Sequence, residues 1–199
     1  VGQCYALAAA ARTKWLDPET TVPIPLAKNM AERVVWLISV VAPQITNTTV
    51  IQRITELETQ FGRLEWRVGF KVAEEVAQEK FCKFESKLEA MEVGIRVGFA
   101  YLTLGIVSAP LEGSIGLKIK KRKDGKEFFA VQYAGPIRGA GGTAASTSVI
   151  LADYVRIKMG YAPYDPDEKE IARTVIEVHD YHERVTNLQY HPSDDEIKF

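Results

Sequence analysis

In Phe128-Phe129-Ala130-Val131-Gln132-Tyr133-Ala134-Gly135-Pro136-Ile137-Arg138-Gly139-Ala140-Gly141-Gly142-Thr143 an apolar run breaks off at a glycine-rich loop, and a helical pattern follows it to Gly160. The run is rich in aromatic and β-branched residues, and Phe129, Val131 and Tyr133 share one face, which predicts a half-buried strand. Glycines at 135, 139, 141 and 142 free the backbone for tight turns and close approach to another group. Thr143 is placed to cap the next element. From Ala144 to Met159, Leu151 and Val155 lie four apart, as do Ile150 and Tyr154, while Asp153, Arg156 and Lys158 supply polar positions. Gly160 is the expected stop.

A glycine-rich loop that feeds a helix start gathers unpaired N–H groups at the positive end of the helix dipole, an arrangement that receives phosphates. Arg138 adds a formal charge there. The competing reading is close packing, because residues 139 to 148 are all Gly, Ala, Ser or Thr. Two nucleotide motifs are excluded. No lysine lies between Lys126 and Lys158, so there is no P-loop, and no Gly-x-Gly-x-x-Gly occurs in the loop.

Immediately before this stretch, from Ser114, the hydrophobic period is two. Ile115, Leu117 and Ile119 alternate with Lys118, Lys120 and Arg122, and Asp124-Gly125 turns the chain back, so a β-hairpin is expected. Lys118, Lys120, Lys121, Arg122, Lys123 and Lys126 outnumber Asp124 and Glu127 by four. Such a cluster can line a nucleic-acid backbone. It equally suits an edge strand that uses lysine against aggregation. We take Lys118, Lys120, Arg122, Arg138, Gly139, Gly141, Gly142 and Thr143 as candidate nucleic-acid or anion contacts.

Helices dominate the N-terminal half. Cys4 to Lys14 is alanine-rich and ends at Asp17-Pro18, and Val22-Pro23-Ile24-Pro25 is an extended connector. Asn29 to Glu32 starts a helix through Val34, Val35 and Ile38 that stops before Pro43. Ile51, Ile54, Leu57 and Phe61 form a second helix closed by Gly62, and Leu64 to Lys80 carries Val68, Val72 and Val76 at fours. Ser86-x-x-Glu89 reads as a capping box for a longer helix through Met91, Ile95, Phe99 and Leu102. Gly94 and Gly98, four apart in it, cost about 1 kcal/mol each against alanine and therefore mark a close helix crossing. Asp165-Pro166-Asp167-Glu168 starts another helix, with proline in its first turn, carrying Ile171, Val175, Val178 and Tyr181. Ser193 to Glu196 is a last capping box, so the chain ends as a helix begins and is expected to be a fragment. The fold expected is mainly helical α+β, a helical bundle on a small antiparallel sheet. Residues 1–110 form its helical region, and 111–199 its hairpin, glycine loop and helices in continuity with it.

Several motifs resemble those of a known family. Tyr133-Ala134-Gly135-Pro136-Ile137-Arg138, Ala140-Gly141-Gly142-Thr143-Ala144 and Asp153-Tyr154-Val155-Arg156 are similar to the N-terminal region of the large subunit of the archaeal family-D DNA polymerase. Leu104-Gly105-Ile106-Val107, Ala109-Pro110-Leu111-Glu112-Gly113 and Leu188-Gln189-Tyr190-His191-Pro192-Ser193 fit the same region in the same order. The match is dense from about Tyr101 to Ile197 and looser before it. The resemblance implies a non-catalytic module of a heterodimeric replicative polymerase, whose small subunit carries a 3′→5′ exonuclease. Its partners would be the remainder of the large subunit, the small subunit and DNA. It also implies Mg²⁺ and zinc for the whole large subunit, whose catalytic aspartates and zinc cysteines lie far beyond residue 199.

With 199 residues, 46 % of them hydrophobic, the chain can bury a sizeable core. Its 25 Lys and Arg against 26 Asp and Glu leave a net charge of −1, so any footprint on nucleic acid must be local. Cys4 and Cys82 are isolated, which indicates neither a disulfide framework nor a zinc site, and a reducing, cytoplasmic setting is the default expectation. No run of about 18 apolar residues suggests a membrane span. His179 and His182, with His191 nearby, lack a third ligand at a diagnostic spacing, and we assign no metal, catalytic residue or cofactor to these residues. Asp165, Asp167, Asp194 and Asp195 sit at helix starts and read as caps.

Overall fold

The computed structural model describes residues 27–46, 48–104, 109–135, 142–185 and 187–199. The chain divides into two compact units, Val1–Ala162 and Pro163–Phe199. Among the described residues helices predominate, and the sheet is a two-stranded antiparallel hairpin, as a mainly helical α+β fold requires.

In the first unit, α1 (Met30–Ile38), α2 (Val50–Phe61), α3 (Trp66–Ala77) and α4 (Lys87–Leu102) precede β1 (Ser114–Lys121), β2 (Glu127–Tyr133) and α5 (Gly142–Lys158). Asn29 caps α1 by accepting the Glu32 N–H, and Gly62 ends α2 at φ +110°. Ser86 caps α4 through the Glu89 N–H, but only half of the expected box forms. The Glu89 carboxylate accepts instead from the Glu85 N–H at 2.8 Å and from Gln44 Nε2 at 3.0 Å, so it ties α4 to the segment after α1.

α3 and α4 form a partition with a core on either side. Val68, Val72 and Val76 of α3 join Val93, Val97, Ala100 and Tyr101 of α4 under α1 and α2. On the other side Ala73, Ala77, Met91, Ile95 and Phe99 meet Leu117 and Phe129 of the hairpin and Leu151, Ala152 and Val155 of α5. A helix with apolar residues facing both clusters must be largely buried, and from Ala90 to Tyr101 every residue of α4 is buried but Glu92, which is half-buried. The paired glycines explain how the two helices approach. A Cβ on Gly94 would stand 2.5 Å from the Ala73 carbonyl oxygen, and one on Gly98 would stand 2.7 Å from that of Gly69.

Ionic groups line this partition. Glu75 takes two hydrogen bonds from Arg53, at 2.8 and 2.9 Å, and joins α3 to α2. Glu74 accepts from Tyr154 Oη at 2.7 Å and Lys71 Nζ at 3.1 Å, and joins α3 to α5. Burial pushes the Glu74 carboxyl up, but these hydrogen bonds outweigh it and leave it below its ordinary value of 4.5. A lowered folded value stabilises the fold above the ordinary carboxylate range, and the contribution drains away as pH falls through the lowered value. Tyr154→Phe is therefore expected to cost about 1.5–3 kcal/mol near neutrality, the range for a hydrogen bond to a charged group, and less in acid. Urea melts at a series of pH values from neutrality downward check this; an equal cost at every pH would refute it.

Buried Arg96 of α4 donates to Glu92 at 2.8 Å and to the carbonyls of Pro110 and Leu111 at 2.8 and 3.0 Å. Those carbonyls belong to the π-helical turn Ala109–Gly113 that leads into β1. In the hairpin Leu117 faces Val131 and Ile119 faces Phe129. At the turn the Arg122 N–H donates to the Lys126 carbonyl at 2.8 Å, and Gly125 takes φ +82°, a left-handed conformation that favours glycine.

The helix after the glycine loop begins at Gly142, two residues before the expected Ala144. Thr143 therefore lies inside the first turn, where its carbonyl accepts from Thr147 Oγ1 at 2.7 Å. Leu151 and Val155 are buried as the spacing predicts, whereas Ile150 is exposed because the partition lies on the Leu151 side. Gly160 stops the element at φ +79°, with the Tyr161 N–H returning to the Arg156 carbonyl at 3.1 Å. The early helix expected at Cys4 to Lys14 and the connector at Val22 to Pro25 lie outside the described residues.

The second unit holds α6 (Glu168–Arg184) and α7 (Asp194–Lys198). Its first cap is Asp167, which forms a full capping box with Glu170. Pro166 thus precedes the cap and does not enter the first turn. Ser193 forms the second capping box with Glu196, as expected.

Candidate nucleic-acid interface

Strand alternation places Lys118 and Lys120 on one face of β1, opposite Ala130 and Phe128 of β2. Both lysines and Lys121 are exposed and have no ion-pair partner among the described residues. Arg122 is different. Its Nε lies 3.3 Å from Asp124 Oδ1, and Lys126 Nζ lies 3.6 Å from Asp124 Oδ2. The Lys126 backbone N–H and the two neighbouring cations hold the Asp124 carboxyl below the usual carboxylate range. Asp124 thus organises the turn and offsets part of its charge, while the lysines of β1 remain available to a polyanion.

Phe128 is the cross-strand neighbour of Lys120, so the basic face does include an aromatic residue. Phe128 is 9 % exposed, which leaves it unable to offer a ring for base stacking. What this face presents is charge, suited to a phosphate backbone and indifferent to base identity.

The opposite face of the hairpin meets α5. Phe129, Val131 and Tyr133 of β2 and Val149, Ala152, Asp153 and Arg156 of α5 line a hollow of about 270 Å³. Ser148, buried, lies 3.0 Å from Tyr133 Oη and donates to the Ala145 carbonyl. Arg156 donates to Asp153 at 2.6 Å and to the Tyr161 carbonyl at 2.7 Å, while the Ala162 N–H reaches the Glu127 carbonyl at 2.9 Å. These bonds bind the end of α5 to the start of β2. Of the glycine-loop candidates, Gly142 and Thr143 open α5, and Thr143 is exposed. Arg138, Gly139 and Gly141 lie outside the described residues.

In the second unit, His179 Nδ1 lies 2.7 Å from His191 Nε2, and His179 Nε2 lies 2.8 Å from Asp194 Oδ1. His182 accepts the Leu188 N–H at 3.0 Å and stacks on His191 at 4.1 Å. The three rings are therefore joined to one another and to Asp194, a connection that their spacing in the sequence did not show. Asp194 serves as a histidine partner, and its carboxyl is lowered chiefly by the His179 hydrogen bond. Among the described residues no group of three or more His, Cys, Asp or Glu is arranged to hold a metal ion. Nor is any described helix long and apolar enough to cross a membrane.

Comparison with known proteins bears on the whole chain. The family model described as DNA polymerase II large subunit DP2, N-terminal, matches residues 1–199. The chain is 50 % identical over 195 residues to the DNA polymerase II large subunit of Nanoarchaeum equitans, covering 98 % of the chain and 16 % of that protein. It is 44 % identical over 196 residues to the protein of the same name from Methanothermobacter thermautotrophicus, covering 98 % and 17 %. The Pyrococcus furiosus protein is 44 % identical over 200 residues, covering 100 % and 15 %. The chain thus spans about one-sixth of the length of these relatives. A match that runs through the hairpin, the glycine loop and both units from end to end shows that the chain belongs to the family of N-terminal regions of the DNA polymerase II large subunit.

Proposed function

We propose that this chain is the non-catalytic N-terminal module of the large subunit of a heterodimeric replicative DNA polymerase with an associated 3′→5′ exonuclease. In this reading it helps to assemble the enzyme, and its basic hairpin touches the DNA backbone. The observation that carries the DNA contact is the exposure of Lys118, Lys120 and Lys121 on one strand without ion-pair partners among the described residues. Each can neutralise a phosphate and release a counterion. The partners are the remainder of the large subunit, the small exonuclease subunit and DNA, in the cytoplasm. Nucleotidyl transfer with Mg²⁺, and zinc binding, belong to the rest of the large subunit, and this module alone is inactive.

Replacing Lys118, Lys120 and Arg122 together by alanine in the heterodimer is expected to weaken primer–template binding for all sequences alike. The salt dependence should flatten by a slope of about 0.9 for each duplex phosphate that is no longer neutralised. Filter binding across a salt series reads both effects. Unchanged affinity and slope would overturn the DNA contact. A second reading, a scaffold that never touches nucleic acid, has its own support, because lysines on a short two-stranded sheet also protect an edge. Loss of heterodimer assembly in the triple variant would favour that reading.

A further inference from the structure

Away from the basic face, the first unit exposes an apolar surface built around three rings. Trp66 meets Phe70 edge to face at 5.4 Å, and Phe70 meets Tyr154 in the same way at 5.2 Å, so the ladder runs from α3 onto α5. Ile150 and Ile157, four before and three after Tyr154 on the same side of α5, flank it. Both are more than half exposed, as is Trp66. α5 therefore carries apolar residues on its outer side as well as on the Leu151–Val155 side that packs on the partition. A helix whose apolar surface extends this far beyond its core-facing stripe belongs inside a larger body.

The Trp66 end of the ladder adds two unusual leucines. Gly69 of α3 lies against Gly98 and Leu102 of α4, so the start of α3 stands beside the end of α4. There Leu64 and Leu104 hold φ of +60° and +56°, a left-handed conformation that few residues other than glycine adopt. The Leu64 N–H is fixed by Tyr101 Oη at 3.1 Å, yet both leucine side chains are more than half exposed. A strained backbone that displays leucine to water gains nothing within this fold and becomes favourable once that side chain is covered.

The chemistry of the surface narrows what covers it. Two of its cations are engaged locally: Arg67 pairs with Glu65 at 3.1 Å and lies over the Phe61 ring, and Lys158 lies over the Tyr154 ring. Exposed Arg63, beside Leu64, adds a charge at the rim, and the rest is aromatic and aliphatic, the character of a permanent interface with a polar rim and not of a nucleic-acid contact. About five-sixths of each relative's length lies outside the region this chain matches. We propose that the Trp66–Phe70–Tyr154 ladder, with Leu64, Leu104, Ile150 and Ile157 around it, seats an apolar segment from elsewhere in the same large subunit. This seat rests on family membership and not on the DNA role of the hairpin, so either reading can fail alone.

The test places the photo-crosslinking residue p-benzoyl-phenylalanine at Trp66, and separately at Ile157, in the full-length large subunit assembled with its small subunit. Val40, an exposed valine outside the ladder, takes the same residue as a control. Both ladder positions are expected to crosslink within the same polypeptide, to residues outside the region matched here, with at least tenfold the yield from Val40. Dilution leaves an intramolecular yield unchanged and lowers one between copies. Crosslinks to the small subunit, to a second copy or within residues 1–199 would overturn the proposal, as would a yield no greater than that from Val40.

Discussion

Gly94→Ala is expected to destabilise the chain by about 2–3 kcal/mol, although alanine is the better helix former by about 1 kcal/mol. The new Cβ would stand 2.5 Å from the Ala73 carbonyl oxygen and 2.9 Å from the Ala77 nitrogen. Both are backbone atoms, which no rotamer change can move. α3 and α4 must therefore separate, and because they form the partition between the two apolar clusters, both clusters loosen together. Gly135→Ala makes the same chemical change where the new Cβ meets no described atom within 4 Å beyond its chain neighbours, and is expected to be neutral to within about 0.5 kcal/mol. Urea melts of the two variants decide the matter; equal stabilities would show that the crossing yields to an extra methyl group.

Arg96→Met is expected to cost about 3 kcal/mol. Methionine keeps much of the volume but removes every donor. The Pro110 and Leu111 carbonyls lose their bonds to the guanidinium, and Glu92 loses a partner at 2.8 Å. Each buried group left unpaired costs about 1–3 kcal/mol. Glu92 keeps access to water at 27 % side-chain exposure, so the total falls toward the lower end of the range for a broken buried ion pair. The loss should be local first. Arg96 holds the turn that launches β1, so amide hydrogen exchange is expected to quicken in Ser114 to Lys121 before α2 or α3 respond. Uniform quickening across the first unit would mean that Arg96 supports the bundle and not the hairpin.

The hairpin and the helices were legible in the sequence because their signals are local. A period of two from Ser114, the Asp124-Gly125 turn, the caps at Asn29, Ser86 and Ser193, and the rows at Val68-Val72-Val76 and Leu151-Val155 each follow from the geometry of one element. The Gly94–Gly98 spacing also announced a close crossing, since helical glycines need some such compensation. Which helix crosses there was not legible. The partner is α3, and finding Ala73 and Gly69 against those glycines needs the long-range path of the chain.

The same limit governs the ionic and apolar surfaces. Nothing in the spacing of Glu74 and Tyr154, eighty positions apart, marks them as partners, nor does it mark Arg96 as the residue that holds the turn before β1. Ile150 and Leu151 have nearly the same hydropathy, and only the position of the partition makes one exposed and the other buried. By itself the sequence determined most of the described elements, the basic strand and the family. The tertiary structure decided which lysines stand without a carboxylate partner among the described residues, that Phe128 lies buried beside them, and that an aromatic ladder joins α3 to α5. The physical reason is that a cap or a periodic row is set by neighbours within about one turn or strand, whereas burial and ion pairing depend on what the rest of the chain brings alongside.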